Sequence, residues 1–234
     1  MSWIEALVDY AHGQLTDRER EALWARGVSD EQISLYRLGY ISNGLPDIEG
    51  ADILYETYQS TGWLRDVFVL PLTNTLCQFK GFQLRHVDVN KKGYSHFSVY
   101  DEEPVLFGLG QAMASAWETK YVVLTEGAFD LFPIQRTRPN IVSTLTNHLT
   151  SEAARCLRRV VDELWLAYDM DPKGRDAAAR VIREHHDKFD RIHDVVFPRV
   201  PRLDGKGRVK DPNELWLAWG DRKLQNFIRE QLGE

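Results

Sequence analysis

The spacing of apolar and polar positions changes character about halfway along the chain. Over the first forty residues the apolar side chains recur at helical intervals. Two hydroxyl residues with Glu or Gln three places on, Thr16 with Glu19 and Ser29 with Gln32, fit the capping box that opens a helix. Asn43-Gly44 and Pro46 break that pattern. Residues 67–72 and 75–84 then read as two strands around a short Thr-Asn turn, followed by a polar stretch with Lys91, Lys92 and Gly93. From residue 121 the rhythm is different. Four short apolar runs, 121–125 (YVVLT), 141–145 (IVSTL), 164–168 (LWLAY) and 194–200 (DVVFPRV), alternate with helix-like segments at 129–136, 151–161 and 175–189. Thr150 is placed to cap the second of these helices, with Glu152 near its positive end.

Apolar strands alternating with amphipathic helices predict a parallel sheet covered on both faces, with its chemistry at the carboxyl ends of the strands. The predicted fold is α/β. Residues 1–117 form a smaller α+β subdomain with an antiparallel hairpin, residues 118–205 carry the parallel sheet, and residues 206–234 supply a loop and a terminal helix that complete it.

Composition narrows the function classes. With 234 residues, 43 % apolar and 27 % charged, the chain reads as an ordinary soluble globular protein. No apolar run is long enough to cross a bilayer, and acids interrupt the opening MSWIEALVDYAH too early for a signal peptide. The two cysteines, Cys77 and Cys156, cannot build a four-cysteine zinc ribbon, and they are expected as core thiols in a reducing compartment, a cytoplasm. His185, His186 and His193 are expected at the surface, so no zinc is implied. Trp24, Trp165 and Trp216 are expected in packing roles. The net charge of −6 argues against a nucleic-acid coat protein but leaves room for a local basic patch.

The acids carry the chemistry. Glu126 follows the first strand of the second half and Asp130 comes four residues later. Asp169 and Asp171 follow the third strand, and Asp211, in KDPNE, follows a Gly-rich basic loop. Five carboxylates on three segments would meet at one rim of such a sheet. Hard oxygen donors suit Mg²⁺ or Mn²⁺, which keep their waters and bind phosphate oxygens. The competing account makes these acids helix caps, which is easier for Asp130 alone than for Asp169 and Asp171 together, because a cap needs one acid. Gly127 and Gly174 would let backbone or phosphate approach closely. Of the cations, Lys80, Arg85, Lys91 and Lys92 fall on the hairpin, and Lys173 and Arg175 flank Gly174.

These motifs, EGAFD from Glu126, STLT from Ser143, DMDPKGRDAA from Asp169 and KDPNE from Lys210, together resemble a Toprim domain. More narrowly, the chain is similar to the polymerase core of bacterial-type, DnaG-like primases. The likeness extends upstream through RGVSD from Arg26, LGY from Leu38, VLPL from Val69, GFQLR from Gly81 and LFGL from Leu106. It implies a metal-dependent DNA primase, a nucleotidyltransferase that joins ribonucleoside triphosphates into short RNA primers on a single-stranded DNA template. Two Mg²⁺ or Mn²⁺ ions would be held by Glu126, Asp169 and Asp171 as central, catalytic acids, with Asp130 and Asp211 in support. Glu126 is left as either ligand or proton acceptor. Arg26, Lys80, Arg85, Lys92, Tyr94, Lys173 and Arg175 would face nucleic acid or nucleotide. A replicative helicase or a separate zinc-binding, template-recognition protein would be the partner.

Three features depart from the family pattern. Asn213 stands where a second Asp is usual, and Gly93-Tyr94-Ser95-His96 stands for a Lys-Tyr-x-Asn cluster, with Lys92 one position early. An amino-terminal zinc domain and a helicase-binding tail are not expected on this reading, on which the chain resembles a small phage or mobile-element primase in a bacterial or infected-host cytoplasm. Alternatives are a Toprim-type nuclease and a non-catalytic single-stranded DNA-binding replisome accessory protein. A haloacid-dehalogenase-like phosphotransferase also places DxD after a strand, but on its opening strand, with Asp169 then as nucleophile.

Overall fold

In the computed structural model, residues 2–44, 47–52, 54, 58, 64–88, 90, 91, 94–98 and 106–233 are described; for Tyr94, His96 and Ser98 this covers the backbone alone. The chain divides into two compact units, Met1–Val105 and Leu106–Glu234.

The first unit opens with α1 (Trp3–Gly13), whose Ser2 cap accepts the Glu5 N–H at 3.2 Å, then α2 (Asp17–Trp24) and α3 (Asp30–Leu35). The Ser29 box closes in both directions: Ser29 N–H donates to Gln32 Oε1 at 2.9 Å and Gln32 N–H to Ser29 Oγ at 3.3 Å. Strands β1 (Gly39–Asn43), β2 (Arg65–Thr73), β3 (Phe79–His86) and β4 (Tyr94–Ser98) form an antiparallel sheet in that order. The predicted hairpin is its centre, but its turn is longer than the two residues expected. Asn74 Oδ1 accepts the N–H groups of Leu76 and Gln78, both at 3.0 Å, and so organises a five-residue loop over 74–78. Cys77 sits in that loop with φ +59° and is exposed, contrary to the expected core thiol. Leu7, Ala11, Ile41, Val67, Val69, Phe82 and Leu84 form the core. Gly39 is required there, since a Cβ would lie 2.6 Å from Ala11 Cβ. Trp24 is 43 % exposed and donates to Asp30 Oδ1 instead of filling the core.

The second unit contains α4 (Leu109–Thr119), β5 (Tyr121–Thr125), α5 (Ala128–Gln135), β6 (Ile141–Ser143), α6 (Ser151–Arg158), β7 (Glu163–Ala167), α7 (Pro172–His185), β8 (Arg191–Asp194), α8 (Pro212–Trp219) and α9 (Asp221–Gln231). The four strands pair in parallel in the order β6-β5-β7-β8. The chain therefore winds outward from β5 through α5 in one direction and from β7 through α7 in the other. Right-handed crossovers then put α5 and α7 on opposite faces. Val122, Leu124, Val142, Leu164 and Leu166 pack against α4, α6 and α7 through Ala112, Ala116, Ala153, Leu157, Ala177 and Val181. The small residues let the helices lie close on the sheet. Thr150 caps α6 as expected, accepting the Ala153 N–H at 3.1 Å.

The fourth strand is displaced from its predicted place. The apolar run 194–200 drew the expectation, yet residues 191–194 pair with β7. Cross-strand contacts explain the register. His193 stacks on Trp165 with ring centroids 3.8 Å apart and meets Glu163 Oε2 at 3.1 Å. His185, expected at the surface, is buried on α7, its Nε2 2.9 Å from the Leu149 carbonyl and its Nδ1 2.9 Å from Lys188 Nζ.

Candidate active site

The outward winding creates a switch point between β5 and β7, where strand ends face opposite crossovers and leave a crevice at the carboxyl edge. Thr125 and Ala167 are in register as the last residues of these two strands. Glu126 leaves the first, and Tyr168, Asp169, Met170 and Asp171 leave the second. The STLT segment fixes the approach. Ser143 Oγ donates to the Glu126 carbonyl at 3.1 Å, and Thr144 Oγ1 lies 3.2 Å from the Thr125 carbonyl.

Three of the five predicted acids do cap helices. Asp130 Oδ2 accepts the Gly127 N–H at 3.1 Å, Asp171 Oδ1 the Gly174 N–H at 2.9 Å, and Asp211 Oδ1 the Glu214 N–H at 2.7 Å. Each cap occupies one oxygen of its carboxylate, so capping and ion binding do not exclude each other. Glu126 and Asp169 cap nothing. Glu126 Oε2 is buried with no hydrogen-bond partner among the described residues.

Glu126, Asp130 and Asp169 are each raised by burial and by the charge of neighbouring acids. Burial, then the charges of Asp171 and Asp211, raise the proton affinity of Glu126. Burial, then Asp211 and Asp169, hold Asp130 well above the usual carboxylate range. Asp169 is pushed up to about 7 by burial and then by Asp211, with Glu126 and Asp171 adding to it and Lys210 opposing it. Asp211 is also raised, by burial. An unpaired anion withdrawn from water is costly, and several together more so.

Lys210 and Glu214, which sequence reasoning did not place in the site, moderate this charge. Lys210 Nζ lies 3.5 Å from Asp169 Oδ2 and 3.6 Å from Asp211 Oδ2, and these anions help hold its proton above the ordinary lysine value against the effect of burial. The Lys210 main-chain N–H donates to Glu214 Oε2 at 3.1 Å, and its carbonyl accepts the Met170 N–H. The KDPNE turn is thus bonded directly to the DMD turn. The spacing of Lys210 and Glu214 around Asp211 was visible, but not the reach of Lys210 across 41 residues to Asp169.

The predicted cations divide by role. Arg175 is a brace. Its Nη1 donates to both Asp194 oxygens at 2.7 and 2.8 Å, while Nε and Nη2 donate to the carbonyls of Asp169 and Tyr168, each at 3.0 Å. Lys173 is exposed in the first turn of α7. Gly174 is needed for backbone approach: a Cβ there would lie 2.2 Å from the Asp169 carbonyl oxygen. Arg26, Lys80 and Arg85 belong to the first unit. Arg26 Nη2 donates to the carbonyls of His86 at 2.9 Å and Val87 at 2.6 Å. Burial, followed by the charge of Arg85, lowers its proton affinity to about 10. Arg85 stands on β3 in register with Phe68 and Tyr94, and Lys80 near the start of the same strand. Lys92 lies outside the described residues, as does the side chain of Tyr94. Asn213, the departure from the family pattern, donates from Nδ2 to the Phe129 carbonyl at 3.3 Å and so links α8 to α5.

Among the described residues, no three His, Cys, Asp or Glu side chains converge closely enough to enclose a metal ion as they stand. The donor set still fits Mg²⁺ or Mn²⁺, because Mg²⁺ is commonly held by one or two carboxylates and otherwise by water and phosphate. The orphaned Glu126 oxygen and the mutual repulsion of the acids are what such an ion would relieve.

Comparison with known proteins agrees with this geometry. Residues 123–216 match the family model described as Toprim-like. The crystal structure of the Aquifex aeolicus primase zinc-binding and RNA polymerase domains superposes with a TM-score of 0.77 at 22 % identity, covering 97 % of this chain and 60 % of that one. The fold is that of a primase catalytic core. A DnaG primase catalytic domain bound to single-stranded DNA has the same core, with a TM-score of 0.73 at 18 % identity over 97 % of this chain and 77 % of that one. In sequence, the DNA primase of Aquifex aeolicus (strain VF5) is 28 % identical over 240 residues, covering 94 % of this chain and 46 % of that protein. The chain thus spans about half the length of that primase. The primase-core fold places the Toprim-like segment on the parallel sheet, and the acids of that segment at its carboxyl edge.

Proposed function

We propose that the chain is the catalytic core of a DNA primase, a nucleotidyltransferase that makes short RNA primers from ribonucleoside triphosphates on single-stranded DNA. The reading is carried by one observation: in a primase-core fold, Glu126 leaves β5 and Asp169 and Asp171 leave β7 where the strand order reverses, near enough that the charge of Asp171 acts on Glu126 and that of Glu126 on Asp169. Glu126, Asp169 and Asp171 would hold Mg²⁺ or Mn²⁺, with Asp130 and Asp211 behind them, in a two-ion arrangement. Such ions, when bound, lower the proton affinity of an attacking 3′-hydroxyl and neutralise charge on the α-phosphate and departing pyrophosphate.

The chain's own residues prepare that chemistry. The Ser143 and Thr144 hydroxyls fix the backbone of Glu126, and the Arg175 fork fixes that of Asp169. Lys210 keeps Asp169 and Asp211 tolerable beside each other before substrate arrives. Asp171 orients the first turn of α7, whose N–H groups and positive end favour phosphate nearby. Arg26, Lys80, Arg85, Lys92, Tyr94 and Lys173 are assigned to template or nucleotide, and a helicase or a separate zinc-binding protein to template choice. Arg175 is assigned to positioning.

The test is incubation with single-stranded DNA, labelled ribonucleotides and Mg²⁺ or Mn²⁺, with and without a candidate helicase. Short oligoribonucleotides are expected, and Asp169→Asn should abolish them while the protein stays folded. Folded protein that yields no oligoribonucleotide in any arm refutes the proposal, and cleavage of the DNA instead would establish a nuclease.

A further inference from the structure

Between β8 and α8 the chain makes an excursion whose chemistry the acids do not use. Residues 198–210 contain five basic residues, Arg199, Arg202, Lys206, Arg208 and Lys210, and one acid, Asp204, in a chain of net charge −6. The segment is an antiparallel ribbon. Pro201 pairs with Arg208, Val209 N–H donates to the Val200 carbonyl at 2.9 Å, and Arg202 N–H to that of Gly207 at 3.1 Å. Gly205 and Gly207, at φ +67° and +98°, make the turn, and Asp204 Oδ1 caps it by accepting the Lys206 N–H at 2.8 Å.

Alternation sorts the side chains onto two faces. On one face Val209 is buried, and Arg202 reaches Glu214 Oε1 at 3.3 Å. Across the Pro201–Arg208 pair, Arg208 stands on the other face, with Lys210 two residues on at the base, while Leu203 and Lys206 belong to the turn and Arg199 to a tight turn in which Val200 N–H donates to the Pro198 carbonyl. Arg199, Leu203, Lys206 and Arg208 are all exposed. The side chains of Arg199 and Lys206 have no hydrogen-bond or ion-pair partner among the described residues, and Arg208 donates only to the Arg199 carbonyl, at 2.7 Å. Arg199, Lys206, Arg208 and Lys210 thus gather on one short ribbon, and the last of them, Lys210, lies against the carboxylates of the site.

We propose that the exposed side of this ribbon is a phosphate track that holds a single nucleic-acid strand and leads it to the carboxylate rim. The inference deepens the primase reading and rests on it. Several exposed cations on one ribbon running from the solvent to the rim suit a repeating phosphate backbone better than one triphosphate, which would engage only the cations nearest the rim. No base-reading group lies on this face, so the track is indifferent to sequence.

The experiment is fluorescence anisotropy of labelled oligo(dT) with the full chain across a salt series. Arg199→Gln/Lys206→Gln/Arg208→Gln is compared with Arg222→Gln/Lys223→Gln/Arg229→Gln, which removes the same charge from exposed positions on α9. Each phosphate contact on a single strand contributes roughly 0.7 to the slope of log K against log salt. The ribbon variant should lose about 2 from that slope and bind at least tenfold more weakly near physiological salt, and the α9 variant should match wild type. If the triple ribbon variant does not fold, Arg199→Gln/Lys206→Gln, which breaks no contact among the described residues, should lose about 1.4. Unchanged slope in a folded ribbon variant, or equal loss in the α9 variant, overturns the track while leaving primer synthesis standing. Wild type that neither binds oligo(dT) nor makes primers overturns both readings.

Discussion

At the scale of single residues, the chain keeps Asp169 where its neighbours oppose its charge. Its proton affinity, raised to about 7, lies well above the ordinary carboxylate value of 3.8. The folded state therefore binds this proton more tightly than the unfolded chain. The resulting stability is present at low pH and is lost as pH rises from about 4 through about 7. Glu126, Asp130, Asp211 and Glu214 are shifted in the same direction and add to the trend. The chelated protein should melt at a lower temperature at pH 8 than at pH 5. Asp169→Asn should reduce that difference and stabilise the apo protein at pH 8 by about 1–2 kcal/mol, because removing one of several like charges relieves repulsion. Calorimetry with EDTA measures both effects, and a pH-independent melting temperature would contradict the charge arrangement. Magnesium should raise the melting temperature more at pH 8 than at pH 5, because at pH 5 protons already neutralise the cluster. Equal shifts at the two pH values would show that the ion binds elsewhere.

At the scale of elements, the start of α7 carries two opposed expectations that experiment separates. Gly→Ala within a helix ordinarily stabilises, by up to about 1 kcal/mol. At Gly174 the added Cβ would meet the Asp169 carbonyl at 2.2 Å, so α7 would have to move off the DMD turn. Gly174→Ala should instead destabilise by about 2–3 kcal/mol and abolish synthesis, and a neutral or stabilising result in a melting experiment would refute the close approach. Arg175→Lys gives the second contrast. A lysine cannot reach Asp194 and two carbonyls at once, so the loss should be about 1–2 kcal/mol of stability, with the salt dependence of DNA binding unchanged. A shallower salt slope would return Arg175 to the nucleic acid. The same region shows how far the sequence could be read. The strands at 121–125 and 141–143 were visible because they are buried almost throughout and therefore apolar, and that at 163–167 because Leu164, Leu166 and Ala167 are buried and Trp165 keeps its other face apolar. The strand at 191–194 was hidden, because its half-covered face is Arg191 and His193, chosen to meet Glu163 and Trp165. The acids were legible as a set, since DxD and EGxxD fall at strand ends. That Asp171 caps while Asp169 does not, and that Arg175 braces, depends on carbonyl directions that no pattern of residue types encodes.

At the scale of the whole molecule, the two units differ in what they hold. Residues 106–234 contain a complete apolar core spanning α4, α6, α7 and the parallel sheet, all five acids, Lys210 and the basic ribbon. Among the described residues the two sheets share no strand pairing, and every partner described for the acids lies within this unit. A segment of that length buries enough surface to fold alone. The fragment 106–234 should therefore unfold in one cooperative transition and keep the fall in melting temperature from pH 5 to pH 8, because the groups responsible are all present. It should make no primers, because Arg26, Lys80 and Arg85 are in the other unit. Circular dichroism melts of the fragment and the full chain at the two pH values test this. A fragment that is unfolded, or whose melting ignores pH, would mean that the carboxylate rim is held in shape by residues before 106. Primer synthesis by the fragment alone would remove the first unit's cations from the reaction.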